Sequence, residues 1–346
     1  MKKDVSILGI DIAKQIFHLV GMDARGNVRL RKRLYRSTLM PFIANLPPML
    51  IGMEACGGAH YWARRFRAHG HEVRLMAPQF VKAYVKSHKN DTVDAEAIGE
   101  AVTRPTMRFV PIKTVEQQDL PALHRVRERL MKARTALINE IRGLLHEYGI
   151  VLPTGAAKFR KALVALLDTE PSTLTALSMD LFQRLYEEFK ELEQRLTYYH
   201  ETLDALGYTH PVCRRLMTIP GIGPLTATAL VAAVSDAATF RNGRQFAAWL
   251  GLVPRQHSTG GKARLLGISK RGDVYLRKLF VHGARTTLRW VDVKQDGRSR
   301  WVRALMARRG HNKAAVALAN KNARIAWVLL ATDQVYTAEH QRASGQ

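Results

Sequence analysis

Cysteine is nearly absent from this sequence: Cys56 and Cys213 are the only two in 346 residues. That excludes a disulfide framework and a cysteine-rich zinc site, and it suits a reducing compartment. Long apolar runs are missing too, none approaching the roughly 20 residues that a membrane-spanning helix needs. The N-terminal stretch MKKDVSILGID carries an aspartate inside its apolar run, which makes a poor signal peptide. A cytoplasmic protein with no membrane partner is expected. Acidic residues are scarce, 29 against 54 Lys and Arg, so the formal charge is +25. The scarcity is sharpest over residues 241–330, where 20 Lys and Arg face three Asp and no Glu. Such an excess points to a polyanionic partner, most simply nucleic acid, with a generally basic soluble surface as the alternative. There is no zinc finger, no clear base-reading module and no internal repeat.

What is present is a globular composition, 47% hydrophobic, on a chain long enough for two or three domains. Residues 4–112 read as α/β: VSILGIDIA, KQIFHLVGMD and NVRLRKRLY form a three-strand meander, and MLIGMEA and HEVRLMA are further strands. Helices are expected in GAHYWARRFRAHG, in PQFVKAYVKSH and, behind an Asp cap, in DTVDAEAIGEAV. Over residues 116–206 apolar positions step by threes and fours, from Leu123 to Leu144 and again from Leu181 to Leu203, with a break near LPTG. That is helical-hairpin or coiled-coil periodicity, a core or a dimer seam, and self-association through it is expected. Residues 211–330 form a third, mainly helical unit ending in DVYLRKLFVHGARTTLRW and HNKAAVALANKNARIAWVLLA, before a frayed tail. The expected division is 1–112, 113–210, 211–335 and a tail over 336–346.

Four carboxylates stand at suggestive places. Asp11 ends the first strand, Glu54 ends another, and Asp91 and Asp94 share one face at a helix start. Strand ends and that helix can converge, and four carboxylates meeting there repel unless cations lie among them. Hard oxygen ligands suit Mg²⁺ or Mn²⁺, and a metal pair can clamp the attacking and leaving oxygens of a phosphodiester. Taken singly, each residue has a plainer role: Asp91 as a helix cap, Asp94 as a partner of the helix dipole, Glu54 as a partner of a nearby arginine.

Two features of the last unit suit phosphate. TIPGIGPLTATAL places Gly221 and Gly223 in a Gly-x-Gly turn opening a helix, like the helix-hairpin-helix that holds a DNA backbone; a tight helix–helix turn reads equally well. GLVPRQHSTGGKARLLGISKRGD sets Ser258 in a flexible basic loop. Serine is a weak nucleophile unless it has help with its proton and with the developing charge. Arg255, Lys262, Arg264, Lys270 and Arg271 suit phosphoryl oxygens, and Gly260 and Gly261 let backbone amides approach them. The chemistry alone also fits a loop that only grips phosphates, and Thr259 and Ser269 are equally arguable hydroxyls.

Five ordered blocks carry a resemblance: GIDIAK, GMEACGGAHYWAR, KNDTVDAEAIGEAVTRPTMRFVPIK, IPGIGPLTATAL, and LGLVPRQHSTGGKARLLGISKRGDVYLRKLFVHGAR. The chain resembles the DEDD transposases of bacterial insertion sequences, families 110 and 1111, and is closer to the latter. The resemblance implies a RuvC-like domain of RNase H fold, a coiled-coil connector and a transposase domain, in a protein associated with the nucleoid. On that pattern Asp11, Glu54, Asp91 and Asp94 are the metal-binding quartet. Ser258 is the nucleophile that links transiently to DNA, the two meeting around one scissile phosphate, within or across subunits of a dimer or tetramer. The family also uses a structured guide RNA from the element's end. Two other readings compete. A Holliday-junction endonuclease uses the same quartet with water as nucleophile, and a packaging protein binds nucleic acid without catalysis.

Overall fold

Short β-branched runs at the N-terminus form the expected meander in the computed structural model, which describes residues 5–85, 91–169, 171–234 and 236–337. Strands β1 (Ile7–Ile12), β2 (Ile16–Met22) and β3 (Val28–Tyr35) pair antiparallel in sequence order. The chain then passes through α1 (Arg36–Ala44), β4 (Leu50–Glu54), α2 (Ala59–Ala68), β5 (Glu72–Met76), a single turn α3 (Pro78–Val81), α4 (Asp91–Val102) and β6 (Phe109–Val110). The sheet order is β3-β2-β1-β4-β5-β6, with β4 parallel to both β1 and β5. This mixed sheet in an α/β unit fits a DEDD nuclease-like domain. Of the helix expected in PQFVKAYVKSH, α3 and a following 3₁₀ turn at Lys82–Tyr84 form, and its last residues lie outside those described. The tail beyond Thr337 also lies outside them.

The chain divides into two compact units, 1–118 and 119–346. In the first, both faces of the sheet are buried. Phe17, Leu39, Ile43, Trp62 and Phe66 pack one face beneath α1 and α2. Val20, Met22, Ala95, Ile98 and Val102 pack the other beneath α4. Both faces of the central strands are covered, so β1 and β4 read as nearly continuous apolar runs.

The second unit is mostly helical. It holds α5 (Val115–His146, beginning just before the boundary), α6 (Ala156–Thr169), α7 (Ala176–Thr209), α8 (Pro211–Met217), α9 (Pro224–Ala233) and α10 (Gly243–Trp249). After these come β7 (Pro254–Thr259), β8 (Lys262–Ile268), α11 (Val274–Leu288), α12 (Gly297–Arg309) and α13 (His311–Ala331). The apolar stripes of α5 and α7 do not face only each other. The intervening α6, absent from the sequence reading, inserts Phe159 and Leu163 into the same core as Leu130, Ile141, Phe189 and Leu196. The stripe therefore closes on a third helix of its own chain rather than running as a simple two-helix seam. Helix α12 was also not anticipated: GRSRWVRALMARR is so rich in arginine that its apolar positions make no clear stripe.

The stretch read as a flexible loop is a β-hairpin. Gly260 and Gly261 have φ of 56° and 77°, the positive pair that a two-residue type I′ turn requires. Every residue of β7 is exposed and the apolar alternation of a half-buried strand is missing, so pattern alone gave no strand.

Candidate active site

The seat of α4 explains how the four carboxylates are placed. Gly9 and Gly52 lie in register on the parallel strands β1 and β4. A Cβ on Gly9 would stand 2.1 Å from the Ala95 carbonyl oxygen, and one on Gly52 would stand 2.8 Å from Val102 Cβ. Only glycine lets the helix lie that close. Side chains two residues along a strand share a face, so Asp11 and Glu54 point to the α4 side. The same register, continued by one residue, sets them side by side. On α4 the residues that meet the sheet, Ala95, Ile98, Gly99 and Val102, continue N-terminally into Asp91 and Asp94 at helical spacing. The packing stripe of the helix thus ends in two carboxylates.

These groups act on one another. Burial, then the charges of Asp94 and Asp91, push the Asp11 carboxyl above its ordinary range, and His18 opposes the shift. Burial, then Asp11 and Asp94, raise Glu54 in the same direction. The nearby Cys56 thiol is also pushed up, by burial and by the charges of Glu54 and Asp11. No Lys or Arg forms an ion pair with Asp11 or Glu54 among the described residues. Nor do any three His, Cys, Asp or Glu side chains there close on a common point as metal ligands do. Asp11 is within electrostatic reach of Asp91 and Asp94, and Glu54 of Asp11 and Asp94, without a ligand shell being formed among the described residues. The donor set, carboxylate oxygens of which those of Asp11 and Glu54 are half-buried without a Lys or Arg partner among the described residues, fits a hard divalent ion.

Sequence reasoning missed His18. It lies opposite Asp11 in the β1–β2 ladder, and its Nδ1 is 3.6 Å from a carboxylate oxygen of Asp91. The meander register contained this pairing, since cross-strand partners share a face.

The hairpin in the second unit sorts its side chains by face. Ser258 pairs with Ala263, Gln256 with Leu265, His257 with Arg264 and Thr259 with Lys262. Ser258 therefore stands with Gln256, Ala263 and Leu265, while Lys262, Arg264, His257 and Thr259 occupy the opposite face. Lys262 and Arg264 thus stand across the ribbon from the Ser258 hydroxyl. The Ser258 Oγ instead accepts a hydrogen bond of 2.8 Å from the Gln256 amide, which cannot take its proton. Arg255 lies at a register irregularity at the start of β7. Lys270 and Arg271 follow β8, Lys270 in a left-handed conformation with φ 55°.

The Gly-x-Gly turn does open a helix: Gly223 caps α9 and Pro224 is its first residue. Gly221, however, is consumed by packing, because a Cβ there would meet the Gly283 carbonyl of α11 at 2.7 Å. The turn is fixed from behind by two buried side chains that sequence reasoning did not single out. Arg298 and Asn322 both donate to the Pro220 carbonyl, at 2.8 and 3.1 Å. Gly221 thus has the internal packing role, and Gly223 is the glycine left open to a ligand.

Comparison with known proteins agrees with both halves of the chain. The family model for DEDD transposases of the IS110 type matches residues 8–150. The model described as "Transposase IS116/IS110/IS902 family" matches residues 213–304. The chain is 51% identical over 337 residues to a probable family 20 transposase of Pseudomonas aeruginosa, covering 96% of this chain and 99% of that protein. It is 49% identical to the transposase for insertion sequence element IS1111A of Coxiella burnetii, over 96% and 92% of the two chains. It is 41% identical to the transposase for insertion sequence element IS1328 of Yersinia enterocolitica, over 96% and 99%. The chain belongs to the IS110/IS1111 family of transposases and is an enzyme of transposition.

Proposed function

We propose that this transposase excises and inserts its own element by DNA strand exchange, with Asp11, Glu54, Asp91 and Asp94 holding Mg²⁺ or Mn²⁺ and Ser258 as the nucleophile. The observation that carries the reading is the register of β1 and β4. It sets Asp11 beside Glu54, under the helix stripe that ends in Asp91 and Asp94. The bound cation would neutralise charge on the phosphodiester oxygens. Asp11 and Glu54 hold the site negative in its absence, and His18 orients Asp91 from the neighbouring strand. Ser258 Oγ attacks phosphorus. One P–O bond forms as the bond to the leaving strand oxygen breaks, the serine proton is lost and the leaving oxygen gains one. The ester to serine keeps the bond energy for rejoining.

The same reading takes the C-terminal excess of Lys and Arg as a DNA surface, with Arg255, Gly260, Gly261, Lys262, Arg264, Lys270, Arg271 and the Gly221–Gly223 turn on the phosphate backbone. It includes a structured RNA partner that supplies sequence choice by base pairing. It also includes a dimer or tetramer formed through residues 116–206, where Leu177 and Leu181 on α7 remain exposed. The functional division at 1–112, 113–210 and 211–335 belongs to this proposal.

The test is a denaturing gel of labelled junction DNA, flanking RNA, Mg²⁺ and protein, run beside Ser258→Ala. A protein-linked band lost in the variant supports the serine mechanism. Free cleaved DNA, unchanged in the variant, overturns it in favour of a metal nuclease that uses water.

A further inference from the structure

A groove of about 1510 Å³ opens in the second unit, between α13, the start of α10 and the base of the hairpin that carries Ser258. That is larger than the roughly 300–1,000 Å³ of an ordinary small-molecule site, so its size suits a segment of polymer. Arg244, Lys313, Lys321 and Arg324 line it, and no Asp or Glu among the described residues does. None of these four cations forms a salt bridge among the described residues. Lys313 and Arg324 lie eleven residues apart on α13, so the positive track runs for ~16 Å along the helix. Burial, with the charges of Arg298 and Arg324, lowers the pKa of Lys321, as expected of cations gathered without a counter-charge.

The walls between these cations are apolar, with Leu266 from β8, Val316 and Val328 from α13, and Trp301 from α12. Trp301 is 36% exposed, and the Lys321 ammonium rests 4.7 Å above its ring. A duplex presents mainly phosphate and sugar outward and gains little from such walls. An unpaired strand offers base faces, which stack on aromatic rings while the phosphates take the cations.

We infer that this groove holds a single-stranded segment of nucleic acid, its phosphates on Arg244, Lys313, Lys321 and Arg324 and one base on Trp301. The base replaces the Lys321 ammonium at the indole and frees that charge for a phosphate. The inference rests on the proposed reading that the enzyme acts on nucleic acid strands, and it gives the base of the serine hairpin a strand to hold.

The experiment is fluorescence anisotropy with full-length Ser258→Ala protein and no Mg²⁺, using oligo(dT), oligo(rU) and a blunt DNA duplex, each of about 20 nucleotides per strand. Trp301→Leu is expected to weaken single-strand binding about ten-fold and to leave duplex binding unchanged, with Trp301→Phe restoring most of the loss. Lys321→Gln is expected to weaken single-strand binding and to reduce its salt slope by about one. A loss limited to oligo(dT) assigns the groove to a DNA strand, and a loss limited to oligo(rU) assigns it to RNA. Equal loss for strand and duplex, or no loss, overturns the inference. If Trp301→Leu does not fold, the wild-type protein is photocross-linked to 5-iodouracil strands. Cross-links on α12 or α13 support the groove, and cross-links confined to other elements overturn it. A groove variant that changes the mass by light scattering without changing strand binding places a second copy there instead, which also overturns it. Failure of the serine reading leaves these binding results unchanged, because it appears only as linked or cleaved DNA made by Ser258→Ala.

Discussion

Asp11 is raised above the ordinary carboxylate range by burial and by the charges of Asp94 and Asp91, and Glu54 by burial and by the charges of Asp11 and Asp94, so neutralising a carboxylate of this group removes repulsion. Asp11→Asn and Glu54→Gln are therefore expected to fold at least as stably as the wild type. They should bind DNA normally and lose strand exchange by at least about a hundred-fold. Normal recombination by both variants with Mg²⁺ present, in a strand-exchange assay, would remove the metal role. In the second unit a buried histidine links stability to acid. His124 is buried, with Nδ1 3.0 Å from the Tyr275 hydroxyl and Nε2 3.1 Å from Thr228 Oγ1. Thr228 gives its own proton to the Pro224 carbonyl, so His124 donates through Nε2 and accepts from Tyr275, which is the neutral ring. Burial and Arg127 push its pKa down to about 4 from an ordinary 6.5. The unfolded chain then binds the extra proton first. The stability linked to His124 is fully present above pH 6.5 and is lost as the pH falls toward about 4. Thermal melts across that window should show falling Tm, and the His124 ring signals in an NMR titration should not move until the lower end of it.

At the scale of elements, α4 and the hairpin make opposite demands on glycine. Gly9 is needed because a helix lies on it, so Gly9→Ala drives a methyl into the Ala95 carbonyl. A loss of about 1–3 kcal/mol is expected, seen as a lower urea midpoint, together with weaker strand exchange because Asp91 and Asp94 move with the helix. Gly261 is needed for its backbone, since nothing lies within 4 Å of a Cβ placed there. Gly261→Val is expected to leave global stability nearly unchanged, because β7 is wholly exposed, while reducing Ser258-dependent DNA linkage. A linked-band yield equal to the wild type would mean that the turn geometry is not what presents Ser258. The two sites were unequally legible in the sequence. Asp11, Glu54, Asp91 and Asp94 stood at strand ends and a helix start, where periodicity already places side chains on a face. The hairpin has no apolar alternation, so its Gly-Gly turn signal stands without strands beside it that pattern can identify.

For the whole molecule, the charge of +25 dominates. Binding to DNA of any sequence should weaken steeply and linearly in log–log form as salt rises, with counterion release as the cause. A flat salt response in a filter-binding or anisotropy series would be incompatible with a phosphate-tracking surface. Self-association through residues 116–206 is checked by light scattering with and without nucleic acid, and a monomer under both conditions removes that part of the proposal. The fold bears on this expectation, since α6 packs on part of the stripe that seemed free to pair, while Leu144 on α5 and Leu177, Leu181 and Tyr198 on α7 are among the residues left exposed.

The sequence by itself determined the charge that points to a polyanionic partner, the strands and helices of the α/β unit and the positions of the four carboxylates at their ends. Charge is a sum over residues, and strand and helix periods are local, so neither depends on distant contacts. It also determined kinship, through blocks of residues spread along most of the chain. Only the tertiary structure decided which side chains share a face or a neighbour. His18 reaches Asp91 through strand pairing and a helix crossing, and Gly9 and Gly52 acquire their meaning only when α4 lies on them. Ser258 is parted from Lys262 and Arg264 by the pleat of a ribbon whose register is fixed by its turn. The groove beside that ribbon joins residues from α10 to α13 that no window of sequence contains together. Each of these depends on contacts between residues far apart in the chain, which local pattern does not encode.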